Sequence, residues 1–464
     1  VRLRPHLREN VIWTDNVFLN DSNERNLTLL SVTRTSPFSV ISDRPTLRKI
    51  EESRSDFQDA KNRGREDDFI FQTALDVSFE MPLNDEYSKA FKLDSLKLLE
   101  VNAKHQEYID LDELNNTSIE LNADLFAFVS QFLEFERANQ FWVRTRAHYN
   151  KIKDPLDANV RAISESGIVV ADSFDDFERD EQRYNLDAGW KGNKSDVSAG
   201  YEVYRLRLDD NALEQAEHDE RTISLEVGHE PKQLPEKRVF LRAEYSKLEF
   251  QDVKVGAAGG GTTKARVLND ADIIDVRVGI EGPTFSRRIR ARVDVGYQNW
   301  DARGNGLSGD SNDFKSPVGS FQVVYKPWED RKTQIQMTYD RTTDYSAISN
   351  YNAVHDVTLQ YLNEVIPKKL DMDITLGFNR TDPSDGPSRK LYEAGAGVVY
   401  HLYKQVDLTF RYLIRAQSSS DEIVLNSAFV TDEGGPNETL FQYEQVSDGD
   451  FLQNIIELGI ELHF

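Results

Sequence analysis

Apolar and polar residues alternate along almost the whole chain. In the opening segment Val1, Leu3, Leu7, Val11 and Trp13 fall on one face, and Arg2, Arg4, His6, Arg8 and Asn10 on the other. The final segment repeats the pattern. Ile456, Leu458, Ile460, Leu462 and Phe464 point one way; Glu457, Gly459, Glu461 and His463 point the other. Between them the period of two predicts the strand DFIFQTALDVSFEM, with Phe69, Phe71, Leu75, Val77, Phe79 and Met81 on its apolar face. Further strands are predicted over 94–108, 115–131, 139–152, 178–191, 195–209, 219–231, 237–251, 270–283 and 287–302. The remainder fall at 314–327, 331–346, 352–366, 369–381, 389–403 and 405–418, which with the two termini makes eighteen. The weak strand NLTLLSV is left out of that set. With the charged stretch TLRKIEESRSDFQDAKNRGRED, whose spacing reads as helical, it forms an insertion, 22–66, within the first long connection.

The connections alternate in kind. KGNK, KQLPEK, PTFS, PWED, IPKK and YKQ are tight, whereas 153–177, GAAGGGTTKARVLND, ARGNGLSGDSND, RTDPSDGPS and 419–449 are long and polar. Short turns on one side and long loops on the other are the signature of a transmembrane barrel. The predicted fold is therefore all-β: one antiparallel up-and-down barrel over 1–464 with periplasmic turns and extracellular loops. Parity keeps the tight turns on one side only if 15–66 is a single loop. Aromatics near strand ends, namely Trp13, Tyr108, Phe141, Tyr149, Trp190, Trp300, Tyr325, Trp328, Tyr400, Tyr403 and Phe464, are expected to form girdles at the two membrane interfaces.

Composition is consistent with this picture. A hydrophobic share of 39%, a mean hydropathy of −0.59 and the lack of an eighteen-residue apolar run exclude a helical membrane protein. A barrel escapes that test because half of each strand faces water. Eighty acidic against 56 basic residues give a net charge of −24, which argues against a nucleic-acid partner. No cysteine is present, so disulfides, thiolate metal sites and a cysteine nucleophile are excluded. No signal-peptide pattern opens the chain, which reads as a mature sequence.

The segments RLRPHLRENVIWTDNVFLND and DFIFQTALDVSFEMPL, through Asp15, Asn16, Val17 and Phe18 and then Pro82 and Leu83, resemble a β-barrel porin family whose members often occur in exopolysaccharide gene clusters. The rhythm of GYEVYRLRLDD and HDERTISLEVGHEP is also similar. The resemblance implies a bacterial outer membrane of the Gram-negative kind; the 22–66 insertion exceeds the first loop it implies. Outer-membrane barrels also commonly end on an aromatic, which makes Phe464 the expected assembly signal.

Candidate pore-lining residues follow from the wet faces. Closure of the barrel brings Arg2, Arg4, His6 and Arg8 near Glu457, Glu461 and His463 and near Arg411 and Arg415. A second cluster combines Arg277 with Arg288, Arg290 and Arg292, interleaved by Asp275, Glu281 and Asp294. A third sets Arg144, Arg146 and His148 beside Asn122 and Asp124. Such clusters either guide an anionic solute or form a salt-bridge lattice that stiffens the wall. Carboxylates accompany every one of them, which favours the lattice.

Enzymatic motifs are missing: the eight histidines are scattered and there is no GxSxG, HExxH or GxxxxGK[ST]. The glycine run at 256–261 reads as a loop tip. The acidic segments from Asp172 and Asp382 lack EF-hand spacing and read as solvated charge. No enzyme activity, cofactor or metal is expected. The expected function is an outer-membrane porin or export conduit passing small hydrophilic solutes or saccharides by diffusion. The alternative is a structural barrel whose loops bind a surface layer, a polysaccharide or a partner protein. Expected partners are outer-membrane lipid, lipopolysaccharide and the barrel-assembly machinery, with a saccharide or surface-layer partner and homo-oligomerisation left open.

Overall fold

The computed structural model describes residues 2–15, 27–34, 67–82, 95–110, 115–128, 140–152, 179–208, 217–257, 261–265, 269–303, 313–328, 332–344, 351–384, 388–420, 423–431, 439–447 and 451–464. In chain order the strands begin with β1 (Arg2–Thr14), β2 (Leu27–Arg34), β3 (Asp68–Pro82), β4 (Ser95–Tyr108), β5 (Asn116–Phe128), β6 (Phe141–Ile152), β7 (Arg179–Lys191) and β8 (Ser195–Leu208). They continue with β9 (His218–His229), β10 (Arg238–Phe250), β11 (Val253–Ala257), β12 (Gly261–Ala265), β13 (Ala271–Pro283), β14 (Ile289–Ala302), β15 (Phe314–Tyr325) and β16 (Gln334–Asp344). The last are β17 (Asn352–Ile366), β18 (Leu370–Pro383), β19 (Arg389–Tyr403), β20 (Val406–Ser419), β21 (Ile423–Thr431), β22 (Thr439–Ser447) and β23 (Phe451–His463).

Eighteen of these, the predicted set, form one antiparallel sheet. It closes on itself because β1 pairs with β3 on one side and with β23 on the other, with Trp13 opposite Ile456, Val11 opposite Leu458 and His6 opposite His463. Closure leaves no unpaired strand edge, the only way a sheet satisfies its backbone in lipid.

Period-two alternation sorts the two faces. Leu3, Val11, Phe69, Phe71, Leu186, Leu225, Val278, Val295, Leu376, Leu458 and Ile460 are exposed on the outside. So large an exposed apolar surface is untenable in water and is what a bilayer covers. The opposite face carries Asn10, Ser78, Glu80, Gln106, Asp275, Asp294, Gln298 and Asp407, all buried. The inner wall is not uniformly polar. Leu248, Phe250, Ala271, Ile273 and Trp300 form a buried cluster near the long-loop rim, with Phe314 and Tyr351 packed against it. Trp300 and Tyr108, 2% and 3% exposed, therefore face inward and leave the predicted girdle. The parity of Trp300 matches that of Asp294 and Gln298, which face inward on the same strand.

The tight turns fall on one rim. In the turn at 366–369 the Lys369 amide donates to the Ile366 carbonyl at 2.9 Å, with Pro367 second and Lys368 at φ 60°, a type II β-turn. Two connections on this rim, 83–94 and 129–140, are longer than its tight turns. On the other rim β2 lies outside the barrel sheet and pairs with β22, which pairs with β21. The first and last long loops thus share a three-stranded sheet, and β11 and β12 form a separate hairpin. The expected helix at 46–66 and the loop 153–177 lie outside the described residues, as does the acidic segment DSFDDFERDE up to 178, whose last three residues, Arg179, Asp180 and Glu181, open β7.

Candidate functional site

The inner wall is the only face on which polar chemistry is concentrated among the described barrel strands, and strand parity builds it. Each wet face presents every second residue, and antiparallel pairing sets those of neighbouring strands side by side.

In the region of β5 to β8, Arg144 forms an ion pair with Asp124, and Arg146 lies 2.8 Å from Asp187. His148 Nδ1 stands 2.6 Å from Asn122 Oδ1 and 3.7 Å from Glu120. The predicted third cluster is thus assembled, with Asp187 and Glu120 added from adjacent strands. Arg183 continues the row to Glu202 at 3.4 Å.

The second cluster centres on Arg277. Its guanidinium lies 2.8 Å from Asp275, 3.5 Å from Asp294 and 3.6 Å from Asp340. Arg292 reaches Glu281 at 3.2 Å and Glu226 at 3.6 Å and lies over the Phe240 ring, 4.3 Å from its centroid. Sequence reasoning missed Arg238, which ties Asp196, Glu226 and Glu281 into the same network. Arg288 sits in the turn before β14, at the rim rather than in the wall. Arg290 pairs in register with Pro283 and Val324 at the foot of β14.

The first cluster lies at the seam. Arg8 reaches Glu461 at 3.4 Å, Arg4 reaches Glu80 at 3.1 Å and Arg415 reaches Glu393 at 2.8 Å. Arg411 stands opposite Glu457 in the register of β20 and β23. The backbone of Arg2 pairs with Glu80. Phe464 is exposed, and its amide donates to the Pro5 carbonyl at 3.1 Å. Near the tight-turn rim a chain of polar contacts crosses five strands, β1, β23, β20, β19 and β18. His6 Nδ1 is 2.9 Å from His463 Nδ1, His463 Nε2 is 3.0 Å from Asp407, and His401 Nδ1 is 2.8 Å from the other Asp407 oxygen. His401 Nε2 then meets Asp371 at 3.4 Å, and Lys332 reaches Asp371 at 3.2 Å. His401, Asp407 and Asp371 were not among the predicted lining residues. The parity of Asp407 with Arg411 was the available signal, but its partners come from other strands.

Arg4, Arg8, Arg144, Arg146, Arg183, Arg238, Arg277, Arg292 and Arg415 are held by carboxylates, so the wall is an ion-pair lattice that still shapes the field along its axis. A recess of about 290 Å³ opens beside Arg277, between Glu220, Arg242, Glu244 and Thr343.

No family model and no curated protein matches the sequence, so the resemblance through 15–18 and 82–83 rests on those residues alone. Solved structures do match. The outer membrane channel DcaP of Acinetobacter baumannii is 11% identical, with 100% of this chain and 96% of that one covered at a TM-score of 0.35. OccK11 (OpdR) of Pseudomonas aeruginosa is 10% identical, covered over 100% and 96%, at a TM-score of 0.38. The siderophore receptor PirA of Pseudomonas aeruginosa is 9% identical, covered over 100% and 80%, at a TM-score of 0.38. At these identities and scores the likeness carries no functional information.

Proposed function

We propose that this protein is a channel of a bacterial outer membrane that passes small hydrophilic solutes, saccharides among them, by passive diffusion. One observation carries the reading: a closed sheet of eighteen strands with an apolar outer face and a charged, ion-paired inner face. A barrel of that strand number encloses more space than its own side chains fill, and water in that space is what lets so many charges line it. The lattice keeps the wall rigid and polar without a single dominant charge, which suits neutral and weakly charged solutes such as sugars.

A second reading has its own support. The three-stranded sheet β2–β22–β21 joins the first and last long loops, more structure than a passive pore requires. Such a platform suits binding of a surface polysaccharide or a partner protein.

Single-channel conductance of the refolded chain in a planar bilayer, with reversal potential under a salt gradient, separates the two. Steady conductance in the intact protein supports the channel. Silence in the intact protein with conductance after deleting 22–66 points to a gated channel. Silence in both refutes the channel and leaves the binding platform.

A further inference from the structure

His6 and His463 face each other across the seam that closes the barrel. The Phe464 amide donates to the Pro5 carbonyl, which makes that neighbouring pair the hydrogen-bonded one. His6 and His463 therefore occupy a non-hydrogen-bonded position, where side chains of an antiparallel pair stand closest. Their rings meet edge to face, with centroids 4.7 Å apart at an interplanar angle of 85°. Their Nδ1 atoms are 2.9 Å apart.

Two imidazole lone pairs at that distance repel unless one nitrogen carries a proton and donates it to the other, or a metal ion takes that proton's place. The surroundings select the lone pair on one side. Asp407 lies 3.0 Å from His463 Nε2, and a carboxylate only accepts hydrogen bonds. The Nε2 proton is therefore held on Asp407, and the lone pair of the neutral ring points from Nδ1 toward His6. A carboxylate orienting the far nitrogen of an imidazole is the outer-sphere arrangement of histidine metal ligands. Glu461 shares the inward face of β23 with His463 and places Oε1 3.8 Å from His6 Nδ1. One ligand atom from each of His6, His463 and Glu461 falls within 4.8 Å of the other two.

We propose that His6, His463 and Glu461 bind a divalent first-row transition cation at the barrel seam, with Asp407 as positioning residue. Two imidazoles and one carboxylate are borderline ligands that favour Zn²⁺ or Cu²⁺ over Ca²⁺ or Mg²⁺, and they leave a coordination position for water. Arg8 is the competing cation, 3.4 Å from Glu461, and it releases that carboxylate when the metal binds. Because the ligands come from the first and last strands, the metal staples the closure and stabilises the folded barrel by mass action. This inference does not depend on whether the lumen conducts.

The test uses the full chain, refolded in detergent and stripped with chelator. Zn²⁺ is titrated by calorimetry, and Cu²⁺ is added for electron paramagnetic resonance. The expected result is one Zn²⁺ per chain, a Cu²⁺ spectrum split by two nitrogens, and a urea unfolding midpoint that rises with Zn²⁺. His6→Gln loses the binding, and Asp407→Asn weakens it by about 10- to 100-fold. His229→Gln, whose ring bonds to Ser195 instead, leaves it unchanged. Should His6→Gln fail to refold, Glu461→Gln carries the same comparison. Absence of stoichiometric binding, fewer than two coupled nitrogens, or undiminished affinity in the ligand variants overturns the proposal.

Discussion

Arg277→Met probes the ion-pair lattice where it is least hydrated. The Arg277 side chain is 12% exposed, and those of Asp275 and Asp294 are 8% and 5% exposed. Removing the cation strips buried Asp275 of its counter-charge and leaves Asp294 only Arg292, at 4.0 Å, and breaking a buried pair in this way costs about 3–5 kcal/mol. Water reaches Asp340, whose side chain is 49% exposed, so the low end, about 3 kcal/mol, is expected. The comparator is Arg287→Ala in the tight turn. Arg287 and Glu236 lie 2.9 Å apart but are 82% and 52% exposed. An exposed pair of this kind contributes under about 1 kcal/mol. Urea unfolding in detergent or lipid vesicles, followed by tryptophan fluorescence, gives both values. Adding Asp275→Asn to Arg277→Met removes one of the repelling carboxylates, so the double variant is more stable than the sum of the singles. A cost for Arg277→Met no larger than that for Arg287→Ala, or strict additivity in the cycle, refutes a structural role for the lattice.

Gly296→Ala is expected to cost about 1–3 kcal/mol, because overpacking forces the backbone to shift. Its new Cβ would lie 2.1 Å from the Val276 carbonyl oxygen and 2.8 Å from Arg277 Cα, whereas a Cβ at Gly395 meets nothing nearer than Leu413 Cδ1 at 3.5 Å. Gly395→Ala is therefore the tolerated control in the same unfolding assay. Lys368→Gly relieves a φ of 60° at the third position of its turn and is expected to gain about 0.5–1 kcal/mol. Val295→Arg places a charge near the middle of β14 on the lipid face, at a cost of about 2–4 kcal/mol in vesicles. Deleting Phe464 is expected to slow insertion in cells while sparing refolding in detergent, read as heat-modifiable migration on gels.

Much of the fold was legible in the residues. Leu3, Val11, Leu458 and Ile460 alternate with Arg4, Arg8, Glu457 and Glu461, with Glu9 and Ile12 as breaks in the first strand, and that local period names both the strands and their faces. Alternation of IPKK-type turns with polar loops set the up-and-down order, and parity excluded Leu27–Arg34 from the wall. Parity also held the inward orientation of Trp300, which aromatic content alone obscured. The predicted bounds already left 82–93 between strands, close to the observed 83–94, whereas β5 ends at Phe128 rather than at 131, so the connection 129–140 is longer than the predicted 132–138.

Which charges meet was decided by the tertiary structure. Arg277 with Asp340 and Arg238 with Asp196 join strands distant in sequence, whereas closure of the predicted barrel already placed His6 near His463 and the structure added only their register. Side-chain direction along a strand is a property of consecutive residues, so the sequence carries it. Register between strands is a property of the closed sheet: a slip of two residues keeps every apolar side chain facing lipid yet gives every arginine a different partner. Only the closed barrel selects one register, and with it the ion pairs of the wall and the paired histidines of the seam.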